Sequence, residues 1–248
     1  MRKDLGDALV AASGTGEHDW SLPVVGETWD GFLNDINGFH VKTEHVRDAL
    51  ERASEGVVEE GSVGGGTGMV CHGFKGGIGT SSRVAPDGWM VGVLVQANHG
   101  QRTRFRVNGV PVGEKIGPDV VPLPGKPDGA GSIIVLIATD APLLPLQCER
   151  LARRAGFGIA RTGGMGEHSS GDFGFCFATG NRSLESDEGE IGLRMLNDGR
   201  INQLYEAVID AIEESILNAM LAAEAMTGRD GNTVHALPAE LLVDALGR

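Results

Sequence analysis

The chain has 248 residues, a formal net charge of −13 and an apolar content of 41%. This length suffices for one large or two small domains with a core, and the acidic charge argues against a nucleic-acid partner because phosphate binding needs clustered Lys and Arg. No stretch approaches the roughly 18 apolar residues that a membrane span requires, so no membrane partner is expected.

Residues 3–53 predict two helices around a less regular segment. Residues 3–12 have the composition of a helix start, and residues 21–41, which include Trp29, indicate mixed loop and strand. A second helix is predicted from Thr43 to Ala53, with Thr43 as its N-cap, since a threonine directly before a helical segment is a common capping residue.

Glycine dominates the next region. The chain contains 39 glycines, and many of them fall in residues 61–68 and 73–79, where they predict tight turns that join short strands. A phosphate-binding loop is the alternative, but the required Gly-Lys-Ser/Thr ending is missing. A helix directly after the glycines, which a nucleotide-binding fingerprint needs, is not indicated either.

The middle of the chain holds the clearest strands. Trp89–Ala97 predicts one strand, followed by a turn at residues 98–100, and the apolar run Ile133–Ala138 predicts a buried strand. The sequence Thr139–Pro142 carries residues that favour a helix start, so we predict a helix from there to near Gly156.

The last third completes a mixed architecture. Phe173–Ala178 predicts a strand, and apolar residues recur every three or four positions in Asn202–Thr227, which predicts a long helix that stops at Gly228. Strands follow one another as if in hairpins rather than alternating with helices, which favours antiparallel pairing. The fold class predicted from these elements is α+β, with helices that cover stacked sheets.

Cysteine and histidine give no sign of a metal site. Cys71, Cys148 and Cys176 are too far apart for a CxxC pattern, and the histidines form neither HExxH nor a His/Cys cluster in the sequence. We therefore expect no metal and no other cofactor. The cysteines suit a reducing compartment, and the start of the chain lacks the apolar core of a signal peptide, so a cytoplasmic location is expected.

Ser132 stands where a flexible linker meets a rigid strand. Residues 124–131 are rich in Gly and Pro, and Ile133–Ala138 follows directly. Cleavage before Ser132 would give this residue both a hydroxyl nucleophile and an α-amino base, the arrangement of an N-terminal nucleophile. The alternative is a small polar residue that opens a strand.

Five motifs in order carry a family resemblance. The chain resembles the DmpA-type aminopeptidases, the L-aminopeptidase/D-esterase and β-aminopeptidase group of serine peptidases (family S58). The resemblance covers essentially the whole chain, and its motifs are Gly61–Met69, Phe74–Arg83, Val93–Gly100, Gly131–Leu143 and Arg161–Asp172.

The resemblance implies a fold and a processing step. The fold is a four-layer αββα sandwich, similar to N-terminal nucleophile hydrolases but connected differently, in a single catalytic domain over residues 1–248. Self-cleavage between Gly131 and Ser132 would divide it into segments 1–131 and 132–248. Glycine suits the cut because it lets the hydroxyl reach the carbonyl. The released amine, with an ordinary pKa of about 7.7–8, serves as base.

The same resemblance assigns the other site residues. Asn98 would donate to the oxyanion, Ser170 would orient the Ser132 amine, and Asp172 would stabilise its protonated form. Asn98 could alternatively be an ordinary turn residue, and the same alternative applies to the segment that contains Ser170 and Asp172. Glu27 would receive the free amine of the substrate, whereas Trp29 stands where some relatives carry a tyrosine that serves the oxyanion, so it is expected to wall the pocket.

These roles imply a self-processing serine aminopeptidase that acts on short peptides, amino-acid amides or esters. Two alternatives stay open: an ornithine acetyltransferase-like enzyme, a group that uses threonine where this chain has Ser132, and an inactive homologue. Relatives normally carry a substantial segment before the point that matches Met1, so we expect this sequence to be N-terminally truncated. The resemblance also implies a homo-oligomer of processed αβ units.

Overall fold

The computed structural model describes residues 24–125, 131–182 and 189–247. The helix predicted over residues 3–12 lies outside this part of the chain. Two compact units are distinguished: the first comprises residues up to Glu27 together with Asp35–Val58, and the second comprises Thr28–Asn34 together with Glu59–Arg248. The single catalytic domain divided at Ser132 stays a prediction.

The described part of the first unit contains one short 3₁₀ turn and one helix. The turn spans Ile36–Gly38, and helix α1 spans Thr43–Glu51. No strand occurs in residues 24–41, so the strand content expected for residues 21–41 was wrong for the described part of that segment. Thr43 is the first helical residue and not the N-cap. Lys42 occupies the cap position, where its backbone N–H donates to His45 Nδ1 at 2.9 Å.

The second unit carries the remaining elements. The described strands are β1 (Val70–Cys71), β2 (Phe74–Lys75), β3 (Gly77–Val84), β4 (Met90–Asn98), β5 (Ser132–Thr139), β6 (Phe173–Ala178), β7 (Met226–Thr227) and β8 (Thr233–Val234). The helices are α2 (Val112–Lys115), α3 (Pro145–Ala152), α4 (Ala155–Arg161), α5 (Asn202–Leu221) and α6 (Ala239–Leu246). Short 3₁₀ turns cover Gly64–Gly66, Arg102–Arg104, Asp198–Arg200 and Arg229–Gly231.

A four-stranded sheet with the order β3-β4-β5-β6 organises this unit. Strands β3, β4 and β5 pair antiparallel, as predicted, whereas β6 joins β5 in parallel. A parallel pair needs a crossover connection, and helices α3 and α4 supply it. The predicted strands at 89–97, 133–138 and 173–178 are confirmed to within one residue at each end.

Helices cover one face of the sheet. Alternate residues of β5, namely Ile133, Val135 and Ile137, are fully buried in the core on this side. Helix α5 approaches so closely that a Cβ on Gly79 would lie 2.0 Å from the carbonyl oxygen of Ser215. Glycine at this position of β3 therefore sets the separation between helix and sheet.

On the opposite face of the sheet, the part formed by β6 and the middle of β5 carries apolar side chains that are exposed in the described part of the chain. Leu136 and the three phenylalanines of β6, Phe173, Phe175 and Phe177, are 37–46% exposed. The α+β class is thus confirmed, and the helices with the sheet form two adjacent layers. No helix in the described ranges is both long and apolar enough to cross a membrane.

The first helix after β5 begins later than predicted. Thr139 is the last residue of β5, where its hydroxyl donates to the Met90 carbonyl at 2.7 Å, and Asp140 accepts from the Met90 N–H at 2.7 Å. Both capping-type side chains therefore bind the neighbouring strand, and α3 starts at Pro145. The predicted stop near Gly156 was also wrong, because α4 runs through this residue.

The end of the long helix was also misplaced. Helix α5 ends at Leu221, six residues before the predicted end at Thr227. Met226 and Thr227 instead form β7, which pairs with β8 in a small hairpin. Gly228 lies in the hairpin connection and not at a helix C-terminus, so tertiary pairing overrides local helix propensity here.

The first glycine-rich stretch forms a 3₁₀ turn and adjoining turns, as predicted, whereas most of residues 73–79 lie in β2 and at the start of β3. A Cβ on Gly77 would lie 2.1 Å from the Gly61 carbonyl oxygen, and one on Gly66 would lie 2.6 Å from the same atom. Gly61 itself has a φ of +80°, a conformation that favours glycine. The density of glycine thus reflects direct packing of backbone on backbone.

Candidate active site

Three strand ends bring the predicted site residues together. Asn98 at the end of β4 pairs directly with Ser132 at the start of β5. On the other side of β5, a Cβ on Gly171 would lie 3.9 Å from the Ser132 Cβ. Asn98, Ser132 and the turn that contains Ser170 and Asp172 therefore meet at one end of the sheet, with Ser132 only 6% exposed.

The side chain of Asn98 is buried and holds two backbone groups. Its Oδ1 accepts from the Val70 N–H at 2.8 Å, and its Nδ2 donates to the Trp29 carbonyl at 2.8 Å. These bonds fix the plane of the amide. A primary amide has two N–H groups, and the bond to Trp29 uses one of them.

Trp29 contributes through its backbone. The indole is 41% exposed and lies over Gly31, where a Cβ would come within 2.9 Å of the ring. Gln96 adds a second tie to this segment, since its Nε2 donates to the Thr28 hydroxyl at 2.7 Å. Sequence reasoning missed the contact between Asn98 and Trp29, because a backbone carbonyl gives no signal in residue type.

Ser170 and Asp172 are hydrogen-bonded to each other. The Ser170 hydroxyl donates to Asp172 Oδ1 at 2.5 Å, and Gly171 between them faces Ser132. The bond directs the hydroxyl proton toward the carboxylate, so the Ser170 oxygen retains lone pairs that can accept from another donor. An N–H group on Ser132 is a donor of this kind.

Gly131 has steric reasons to be glycine. A Cβ at this position would lie 2.3 Å from the Asn98 carbonyl oxygen and 3.3 Å from the His99 Cα. Any other residue would push the start of β5 away from β4. The linker residues 126–130 that precede it are outside the described part of the chain.

Glu27 is not among the residues that the second unit brings together. It belongs to the first unit, and its side chain is exposed there. Its predicted contact with the substrate amine stays a prediction.

Behind the turn at residues 98–100 lies a group of residues that the sequence did not reveal. Ligand-type atoms of Cys71, His72 and His99 all lie within 4.8 Å of one another, and all three residues are buried. The backbone N–H of His72 donates to the His99 carbonyl at 2.7 Å. A Cβ on Gly100 would lie 2.3 Å from the His72 ring, so the ring packs directly under the turn.

The guanidinium near this group disfavours metal binding, although neutral imidazole is itself the form that ligates metals. Burial holds the pKa of His72 well below its usual range, so the ring is neutral at physiological pH. Arg102, itself buried, donates from Nε to the His72 carbonyl at 3.1 Å. A guanidinium charge this close disfavours a cation at the same place.

Lys75 ties the glycine-rich stretches together. It is fully buried, and its Nζ donates to the Gly66 carbonyl at 3.0 Å and to the Gly76 carbonyl at 2.8 Å. Burial lowers the pKa of its ammonium group to about 8. Val70, whose N–H donates to Asn98, lies in the region that the Lys75 ammonium holds together. In its bonds to Gly66 and Gly76, that ammonium contacts backbone carbonyls and no carboxylate.

Comparison with known proteins identifies the family of this chain. The profile of peptidase family S58 matches residues 4–234. The chain belongs to this family. A beta-peptidyl aminopeptidase, BapA, of Sphingosinicella microcystinivorans is 48% identical over 234 residues, which cover 88% of this chain and 59% of that protein.

Solved structures of the family share the fold. A beta-aminopeptidase of a Burkholderia species matches with a TM-score of 0.89 and 49% identity, over 99% of this chain and 70% of its own. An L-aminopeptidase D-Ala-esterase/amidase of Ochrobactrum anthropi, described as a variant of the Ntn hydrolase fold, matches with a TM-score of 0.87 and 42% identity, over the same shares. The predicted relation to N-terminal nucleophile hydrolases is confirmed. The chain spans 58–59% of the length of the two Sphingosinicella relatives it matches.

Proposed function

We propose that this protein is a self-processing serine aminopeptidase whose nucleophile is Ser132. The observation that carries the proposal is the direct pairing of Asn98 with Ser132, beside the turn that contains Ser170 and Asp172. This arrangement places a hydroxyl, an amide donor and a carboxylate-bound hydroxyl at one end of the sheet. Membership of a peptidase family supports the same activity.

In the first step, the Ser132 hydroxyl attacks the Gly131 carbonyl. The peptide bond is replaced by an ester, water hydrolyses the ester, and the α-amine of Ser132 is released. Because Gly131 has no side chain, it lies against the Asn98 carbonyl without overlap, which leaves its own carbonyl accessible.

In the second step, the Ser132 hydroxyl oxygen attacks the substrate carbonyl, and the new α-amine takes the hydroxyl proton. The second N–H of Asn98 donates to the oxyanion, and an amide already fixed by Val70 and Trp29 needs no reorganisation to do so. The Ser170 oxygen accepts from the amine, and Asp172 stabilises the ammonium form electrostatically. As the tetrahedral intermediate collapses, the ammonium gives its proton to the departing amine or alcohol and leaves the acyl group as an ester on Ser132. Water then hydrolyses this ester, which releases the acid and restores the hydroxyl.

The substrates are short peptides, amino-acid amides or esters with a free amine. Glu27 would receive that amine, and Trp29 would border the pocket. The relative from Sphingosinicella microcystinivorans, 48% identical, is named a beta-peptidyl aminopeptidase. The Burkholderia protein, 49% identical, is named a beta-aminopeptidase. We therefore infer a preference for N-terminal β-amino acids, and anilides of β-homoalanine, L-alanine and D-alanine are the panel that tests it.

The processed enzyme is expected to be a cytoplasmic homo-oligomer. The structure shows no disulfide bond among Cys71, Cys148 and Cys176, which supports a reducing compartment. Cell fractionation and light scattering of the processed protein test these two expectations.

Intact mass and N-terminal sequencing test the proposed nucleophile. The protein expressed from its complete reading frame is expected to yield a fragment that begins Ser-Ile-Ile-Val, and Ser132→Ala is expected to stay intact and inactive. Ser81→Ala, a β3 serine whose hydroxyl donates to the Ala211 carbonyl, serves as the matched control and should process normally. An uncut wild-type chain that still hydrolyses anilides would refute the role of Ser132.

A further inference from the structure

Two cysteines that are distant in sequence meet beside the edge strand of the sheet. Cys148 lies on α3 and Cys176 lies on β6. The helix and the strand are in close contact, since a Cβ on Gly174 would lie 2.8 Å from the Ala152 carbonyl oxygen. Both cysteines line the same space between α3 and β6, and each thiol influences the ionisation of the other.

Both thiols line a cavity of about 540 Å³ between α3, β6 and the segment around Leu193. Both residues are half-buried, so small molecules in this cavity can reach the sulfur atoms. Most of the lining is apolar, and among the described lining residues Glu149 is the charged one, with its carboxylate paired to Arg153.

The environment keeps the thiols protonated at neutral pH. Burial raises the pKa of both groups, and more strongly that of Cys176. Because the thiolate is the reactive form, we expect Cys148 to react first and the reaction to be faster in alkaline solution. Cys71 is fully buried in a different place, beside His99, and provides an internal reference.

We propose that Cys148 and Cys176 form a modification site at which a small two-electron oxidant, represented here by diamide, creates a reversible disulfide between α3 and β6. The Cys148 thiolate adds to the N=N bond of diamide. The Cys176 sulfur then attacks the Cys148 sulfur, the S–S bond forms, and the reduced hydrazine leaves. Two electrons and two protons pass from the thiols to the oxidant.

The bond would act on the neighbourhood of the candidate active site. Strand β6 begins at Phe173, directly after Asp172, and it is an edge strand held on one side by β5. A covalent link to α3 fastens this strand from its helical side. The site is independent of the proposed peptidase activity, because its chemistry uses none of the peptidase residues.

Mass spectrometry of the diamide-treated protein tests the proposal. Reduced protein from the complete reading frame is treated at pH 9 and digested without reductant. We expect the loss of two hydrogen atoms, a peptide that links Cys148 to Cys176, and reversal by dithiothreitol. The melting temperature should rise by about 5–10 °C, since a cross-link of this span restricts the unfolded chain.

Single substitutions separate the outcomes. Cys148→Ser and Cys176→Ser should each abolish the mass loss, whereas Cys71→Ala should retain it. Unmodified Cys148 and Cys176 after treatment of the wild type, a bond that involves Cys71, or a link between two molecules would each overturn the proposal. These readouts need no catalysis, so failure of the peptidase proposal would leave them interpretable.

Discussion

Replacement of Asn98 by alanine should lower both activity and stability, and the two effects can be separated. The substitution removes the acceptor of the Val70 N–H and the donor to the Trp29 carbonyl, both at 2.8 Å. Asn98 is 1% exposed, so water does not replace these bonds readily. A buried polar group left unsatisfied costs about 1–3 kcal/mol, and two such groups should lower the free energy of unfolding by about 2–6 kcal/mol.

The catalytic effect should be larger than the loss of structure explains. Removal of one oxyanion donor typically lowers kcat by about 10²–10³. Gln96→Ala is the matched control, because Gln96 lies on the same strand and ties the same segment through Thr28 at 2.7 Å, but does not pair with Ser132. It should cost about 1 kcal/mol and leave kcat nearly unchanged.

The assay is hydrolysis of an amino-acid anilide, with kcat normalised to the processed fraction found by intact mass. Urea denaturation of both variants, carried out at the assay temperature, gives the change in stability and shows whether both are folded there. If kcat of Asn98→Ala at that temperature lies within tenfold of Gln96→Ala, the assignment of Asn98 as oxyanion donor is wrong.

Three further predictions rest on close contacts and on burial. Gly131→Ala should slow self-cleavage by about tenfold or more, since its Cβ would lie 2.3 Å from the Asn98 carbonyl oxygen, whereas Gly125→Ala, with no atom within 4 Å, should process at the normal rate on denaturing gels. Gly79→Ala should destabilise the fold by about 2–3 kcal/mol in urea, and Gly92→Ala, where a Cβ meets nothing within 4 Å, should change it by less than about 0.5 kcal/mol; equal effects would contradict the packing argument. The pKa of Lys75 is about 8 in the folded protein, below its unfolded value of 10.5. The unfolded chain therefore binds more protons than the folded chain between pH 8 and 10.5. The free energy of unfolding should rise with pH in this range by up to about 3 kcal/mol. The difference in unfolding free energy between wild type and Lys75→Met, measured across this range, should show that rise, and a pH-independent difference would exclude it.

The sequence predicts well where local pattern and burial agree. The short apolar run Ile133–Ala138 is typical of a buried strand. Strand β5 extends one residue beyond this run at each end. The strand that leads to Asn98 is equally clear. The meeting of Asn98 with Ser132 followed from the family resemblance, because the register that pairs them depends on a connection whose path the sequence does not specify.

Prediction failed where a distant partner decides the structure. Thr139 and Asp140 have the composition of a helix cap, but both bind the Met90 backbone. Thr227 continues a helical pattern, but its pairing with Thr233 places it in a hairpin. The group of Cys71, His72 and His99 forms across β1 and β4, so spacing along the chain carries no sign of it.

The pairing of β4 with β5 has a practical consequence for anyone who purifies this protein. Eight consecutive residue pairs join these strands, from Val91 with Thr139 to Asn98 with Ser132, and six more join β5 to β6. A molecule severed ahead of Ser132 would remain a single particle under native conditions, with its two pieces interlocked as neighbours in one sheet. Gel filtration would give the same apparent size for cleaved and uncleaved protein, and the two fragments would separate only after denaturation.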